Sequence, residues 1–153
     1  MRDEFAAVVA GEPGLGAQLA VHHHGRRVVD LWAGLAEDAW PALYSSGKGA
    51  AHLVVAFLVQ DGVLDLDRAV AWHRPEFAAS GKGRITLRDL LAHRAGLVGV
   101  PGGFTAAELS DDRLLAARPA GERPLWTEGH GYHALAIDAL TGEVVRRATG
   151  RTW

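Results

Sequence analysis

From Ser45 to Gln60 the chain reads SSGKGAAHLVVAFLVQ. After Lys48 the run carries apolar side chains on nearly every face of a helix. Residues 46–60 are therefore expected to form a central helix that other elements bury. Gly62 closes it. A helix of this kind cannot stand at a surface, so the rest of the chain must supply layers around it. Lysine is seldom found at the mouth of such a helix. This chain has lysine at only two positions, Lys48 and Lys82. Ser45 and Lys48, three residues apart, are the first candidates for chemistry.

The layers are mostly helical. Residues 3–10 suggest a short helix ended by Gly11 and Pro13. Residues 17–33 read as a hairpin, with strands at 18–23 and 28–32 and Gly25 in the turn. Residues 34–43 are a connector. Residues 84–92 read as a helix with Thr86 as N-cap and Asp89 closing a capping box. Residues 105–117 read as an amphipathic helix, capped by Thr105 with Glu108 three residues on. Residues 131–148 read as a last helix, ended by Gly150. No internal repeat and no low-complexity linker interrupts the chain. The expected class is α+β, but with a shortage of strands. A stable sheet usually needs three or more strands, and only two are convincing here. Either the hairpin lies on helices alone, or its sheet partners are not in this chain.

Bulk properties exclude several roles. The 153 residues are 48 % apolar and 22 % charged, a globular balance. A net charge of −2 gives no reason to expect nucleic acid or an anionic membrane as a partner. Without cysteine there is neither disulfide nor thiolate metal site, and the redox compartment stays open. The opening MRDEFAAVVAGEPG carries acids and lacks a long apolar core, unlike a secretory leader. The longest apolar run, 53–59, is too short to span a bilayer. A soluble, cytoplasmic protein is expected.

A serine hydroxyl is a weak nucleophile until a base takes its proton. At a helix N-terminus the dipole favours negative charge, which suits an oxyanion formed on attack at a carbonyl. A lysine at i+3 lies on the same face, and burial of that face would favour the neutral amine that can act as base. The plainer reading is a capping serine with a snorkelling lysine. Tyr132, in TEGHGYHALAIDAL, stands at the expected helix start. Its hydroxyl could help shuttle the serine proton, or its ring could merely pack.

Four blocks together resemble a known family. YSSGKG (44–49) is similar to the Ser-x-x-Lys element of the serine β-lactamase and penicillin-binding-protein superfamily. GVLDLDRAVAWHRPEFAASGKGRITLRDLLAHRAGL (62–97) resembles its middle segment, with a Leu-Asp-Leu-Asp turn, Pro-Glu-Phe, and Ile-Thr-x-Arg-x-Leu-Leu-x-His-x-x-Gly-Leu. GYHA followed by GEVVRRATGR resembles the tyrosine motif and following helix of the branch that holds class C β-lactamases and related esterases. The hairpin ending VVDLWAG fits that branch too. The resemblance runs from about residue 4 to 153. It implies a β-lactamase-like fold and serine acyl transfer on a small-molecule ester or amide. Ser45 would be the nucleophile, Lys48 and Tyr132 would share base and acid duties, and the Ser45 N–H would give half of an oxyanion hole. No cofactor and no metal are implied.

The pattern also breaks. The family's third motif, a Lys or His with Ser/Thr and Gly on a strand, is not found after Tyr132, and neither are the remaining strands and closing helix. The expectation is that 1–153 is the N-terminal portion of a single, truncated domain, impaired or inactive alone and prone to self-associate through open sheet edges. The alternative is a non-catalytic remnant that binds a partner. Tyr132-His133-Ala134 replaces the Tyr-x-Asn of β-lactamases, which tilts from β-lactamase or D-Ala-D-Ala peptidase towards a carboxylic esterase. The connector before Tyr44 is shorter than is usual for the branch.

The remaining motifs carry less. His22-His23-His24 invites a metal, but strand alternation splits the three and no further ligand follows nearby. His93 is expected to be a satisfied structural histidine. His130 and His133 flank Tyr132 without an assigned role. Glu76 is expected to be a solvated or capping acid. Gly14 and Gly16 make no phosphate loop.

Overall fold

A computed structural model describes residues 1–152, so the last position of the 1–153 portion lies outside the described residues. The chain divides into two compact units, 1–42 and 43–153. In the first, helix α1 (Arg2–Gly11) is followed by strands β1 (Ala17–His23) and β2 (Arg26–Ala33). The strands pair antiparallel, Ala17 opposite Ala33, and α1 packs on β2. His24 and Gly25 make the turn with positive φ, 47° and 75°, a tight reversal that suits glycine. The register slips between Val21 and His22, so the end of β1 departs from simple alternation. These are the two expected strands, each slightly longer. They form the only sheet among the described residues.

The second unit holds α2 (Gly47–Gln60), α3 (Val70–His73), α4 (Leu87–Leu91), α5 (Ala106–Leu109), α6 (Asp112–Gly121) and α7 (Ala136–Thr149). Phe77, Leu87, Leu90, Leu97, Ile137 and Leu140 form the heart of its core. Each such side chain taken fully from water contributes roughly 1.5–3 kcal/mol. The Leu-Asp-Leu-Asp segment is stitched to the start of α4. Val70 N–H donates to Ile85 C=O at 2.9 Å, Leu87 N–H to Arg68 C=O at 3.0 Å, and Arg88 N–H to Leu66 C=O at 2.8 Å. Thr86 and Asp89 form the expected capping box. No helix among the described residues is long and apolar enough to cross a membrane.

Three expectations need correction and a fourth is extended. The helix expected over 105–117 is two helices. Asp111, inside that stretch, turns its carboxylate to the N–H groups of Arg113 (2.8 Å) and Leu114 (3.1 Å) and so restarts the helix as an N-cap. The last helix begins at Ala136 rather than 131, because the backbone of 131–133 is bonded to other parts of the fold. The helix behind Ser45 is not buried all round: Val55 is its only buried residue, while Leu53 and Phe57 are exposed. Glu76 stays half exposed, as expected of a solvated acid, but it is also paired. Its carboxylate accepts from Arg74 Nε at 3.0 Å and from Arg147 Nη1 and Nη2 at 3.1 and 2.5 Å. Arg147 also reaches Glu143, which binds Arg146 as well. This network ties α7 to the loop after α3.

Candidate active site

Ser45 lies in a single 3-10 turn, Tyr44–Ser46, that leads straight into α2. Tyr44 enters that turn at φ 44°, a left-handed conformation that costs a side-chain-bearing residue energy and recurs at functional sites. Lys48 sits in the first turn of α2. Its Nζ is 3.4 Å from Ser45 Oγ, the long end of a hydrogen bond. Contacts of this length are common in unliganded catalytic pairs. The serine is exposed, and the lysine side chain keeps only 14 % of its surface.

Tyr132 does not start a helix. It stands in a loop, half exposed at 50 %, with Lys48 Nζ 5.6 Å from its ring centre. The structure thus brings all three sequence candidates together, Ser45 to Lys48 and Lys48 to Tyr132. A separate cleft of about 620 Å³ is lined by Arg84, Asp89, Arg94, Trp126 and Glu128 and by none of the three.

The loop that carries Tyr132 is held from both sides. Gly131 N–H donates to His93 C=O at 3.0 Å, and His133 N–H donates to His93 Nδ1 at 3.1 Å. The His133 ring is wholly buried. Its Nε2 accepts from Leu97 N–H at 2.9 Å, which leaves Nδ1 to donate to Gly131 C=O at 2.6 Å. Gly131 is needed here: a Cβ would stand 2.6 Å from the Trp126 ring, far inside van der Waals contact. Burial, with a lesser push from His93, holds His133 below the ordinary imidazole range against the pull of the Gly131 carbonyl. His93 is likewise lowered, first by burial and then by the nearby His52, Lys48 and His130.

Sequence reasoning missed two neighbours of Lys48. Asp138, in the first turn of α7, places Oδ2 3.4 Å from Lys48 Nζ. The amine therefore has a carboxylate beside it, not only the apolar wall expected from the sequence. Asp138 lies six residues past Tyr132, and no sequence spacing marks the pair. His52, four residues after Lys48 on the same face of α2, lies 2.7 Å from Lys48 C=O through Nδ1 and 3.3 Å from Leu91 C=O through Nε2. Its i+4 spacing was the available signal. His133 is a core residue rather than a free flank of Tyr132. Among the described residues no cluster of three or more His, Cys, Asp or Glu side chains is placed to hold a metal ion.

A helical unit with Ser-x-x-Lys at one helix start and a tyrosine loop facing it, in a chain that also carries a hairpin, is the arrangement of a β-lactamase-like fold. Residues 3–153 match the Beta-lactamase family, and the chain belongs to it. It is 34 % identical to the Esterase/beta-lactamase LipL of Mycobacterium tuberculosis, over 96 % of this chain and 36 % of that protein. Among solved structures it superimposes on EstA from Arthrobacter nitroguajacolicus with a TM-score of 0.88 at 44 % identity, covering 99 % of this chain and 42 % of that one. It superimposes on a family VIII carboxylesterase with a TM-score of 0.89 at 37 % identity, covering 99 % and 44 %. The chain therefore spans less than half the length of these relatives.

Proposed function

We propose that this chain carries the nucleophile and proton-handling groups of a serine hydrolase acting on small carboxylic esters through an acyl-enzyme. The approach of Lys48 Nζ to within 3.4 Å of Ser45 Oγ is the observation that carries the reading. The esterases named above, two of which share 34 % and 37 % of their aligned residues with this chain, support the substrate class.

In the first half-reaction Ser45 Oγ forms a bond to the ester carbonyl carbon and gives its proton to the Lys48 and Tyr132 pair. The tetrahedral intermediate then collapses. The carbon–oxygen bond to the alcohol breaks, and the alcohol leaves with the proton held by the pair. In the second half-reaction water adds to the acyl carbon, its proton passes to the same pair, and Ser45 departs as the hydroxyl. Ser45 N–H, near the start of α2, is positioned by sequence to donate to the developing oxyanion. Asp138 keeps the Lys48 side chain turned towards the serine rather than out into solvent.

An alkyl fluorophosphonate tests this, because an activated serine attacks its phosphorus, expels fluoride and is left phosphonylated. Labelling should map by mass spectrometry to the peptide containing Ser45 and vanish in Ser45→Ala. Lys48→Met and Tyr132→Phe should each slow labelling about 100-fold or more, in line with general acid–base contributions. Equal labelling of Ser45→Ala, or no labelling of a parent protein that melts cooperatively, sinks the reading.

A further inference from the structure

We propose that His93 is a positioning residue for Tyr132, its backbone and ring fixing where the phenol stands beside Lys48. The inference rests on the reading of Tyr132 as a proton-handling group. It adds a device that neither Ser-x-x-Lys nor the tyrosine motif contains.

Three contacts converge from this one residue on the tripeptide centred on Tyr132. The His93 carbonyl accepts from Gly131 N–H at 3.0 Å, and its Nδ1 accepts from His133 N–H at 3.1 Å. Its ring meets the Tyr132 ring edge to face, with centres 5.0 Å apart. The backbone on each side of Tyr132 is thus hung from His93, and the phenol leans on the same imidazole. Tyr132 itself is half exposed and lies in no helix, so burial alone does not fix its ring.

The conformation of His93 points the same way. It follows α4 at φ 59°, where glycine or asparagine would sit with less strain. A residue that only ends a helix is most often glycine and sometimes asparagine. Histidine adds an acceptor nitrogen and an aromatic edge, and both are used on the Tyr132 loop. The acceptor role requires Nδ1 to carry no proton. Burial opposes a further positive charge on His93, as do His52, Lys48 and His130, while Asp138 favours it; His93 in turn lowers the neighbouring His133. The loop should therefore loosen in acid.

His93→Gly and His93→Asn separate the roles, since both tolerate the left-handed backbone but only asparagine returns an acceptor near the Nδ1 position. On the full chain, fluorophosphonate labelling of Ser45 should slow about tenfold in His93→Gly and recover to within about threefold of the parent in His93→Asn. In a Tyr132→Phe background His93→Gly should have no further effect, because its influence passes through the phenol. An equal slowing in both backgrounds, or none in either, overturns the proposal. A readout free of chemistry accompanies this. By NMR, His93→Gly should move the Tyr132 ring protons and strip the His133 amide of exchange protection, and His93→Asn should restore the protection. If the parent is not labelled, the hydrolase reading fails and the NMR arm alone decides. Unchanged Tyr132 and His133 signals in His93→Gly would then sink the positioning role.

Discussion

Phe57 and Phe77 are the same side chain in opposite circumstances. Phe57, on α2 behind the candidate nucleophile, is 61 % exposed, whereas Phe77 is 0 % exposed at the centre of the second unit. The contrast extends to the two sides of the site. Ser45 stands exposed in a short turn with one long contact to Lys48. Tyr132 is held through a buried histidine, two loops and the start of the core. The tyrosine side is built by interactions inside this chain. The serine side presents its helix with much of its apolar surface still facing water, a patch of the sort that marks a surface awaiting cover. Preorganisation, the condition for transition-state stabilisation, is therefore unequal across the site.

The sharpest way to break this contrast is to truncate each phenylalanine. Phe77→Ala should destabilise the chain by about 3–5 kcal/mol, through lost burial and the cavity left behind. Phe57→Ala should stay within about 0.5 kcal/mol, as for an ordinary surface site. Urea unfolding followed by circular dichroism measures both. A loss above about 2 kcal/mol for Phe57→Ala would show that α2 is covered in solution, by a second copy or by another part of the chain.

How far the sequence disclosed this arrangement follows from the range of the interactions. The capping boxes at Thr86 and Thr105 were legible because each is complete within four residues. The hairpin was legible from its turn and its alternation. Ser45 and Lys48 were legible because i+3 spacing on a helix fixes neighbours. The break at Asp111 was missed because an aspartate in mid-pattern reads equally as a solvated face or a new cap. The late start of α7 was missed because it depends on His93, 40 residues from His133, whose backbone N–H it accepts. Asp138 beside Lys48 and Glu76 beneath Arg147 are likewise products of tertiary approach. The overstated burial of α2 has a different source: periodicity reports which faces are apolar, not whether anything in the chain covers them.

Acid should act on the tyrosine side, and at His73 on α3, which burial and Arg68 also lower, before it reaches the carboxylates. His93 and His133 both bind protons less readily folded than unfolded, from an ordinary value of 6.5, mainly because of burial. The stability they lend is complete above pH 6.5 and falls as pH drops below it, since the unfolded chain then takes up protons that the folded one refuses. Each group adds at most about 1.4 kcal/mol per pH unit to that slope. Urea midpoints between pH 7.5 and 5.5 should fall, and His93→Asn should flatten the decline. A parent midpoint constant over this range would mean that the buried imidazoles are protonated without cost.

Glu143 extends the comparison to ion pairs at lower pH. Side-chain hydrogen bonds from Arg146, with Arg147 second among its cations, hold its carboxyl down to about 2 against the cost of burial. Its contribution is full above pH 4.5 and is lost as pH falls from there towards 2. Glu143→Gln should cost about 1–3 kcal/mol at pH 7 and remove that part of the acid transition.

Asp67 and Arg88 form the matching pair at the surface, and the smallest effect belongs to them. Their geometry is as good as that of Glu143, two bonds at 2.7 and 2.9 Å, but both side chains are more than half exposed. The Arg88 hydrogen bond pulls the Asp67 carboxyl below the usual carboxylate range, a local preference that solvent and salt screen. Asp67→Asn should leave the unfolding midpoint at pH 7 unchanged within error, at low and at high salt alike. If it fell as far as in Glu143→Gln, bond geometry rather than burial would decide what an ion pair contributes in this chain. The difference drawn between its covered and uncovered sides would then not reach its charges.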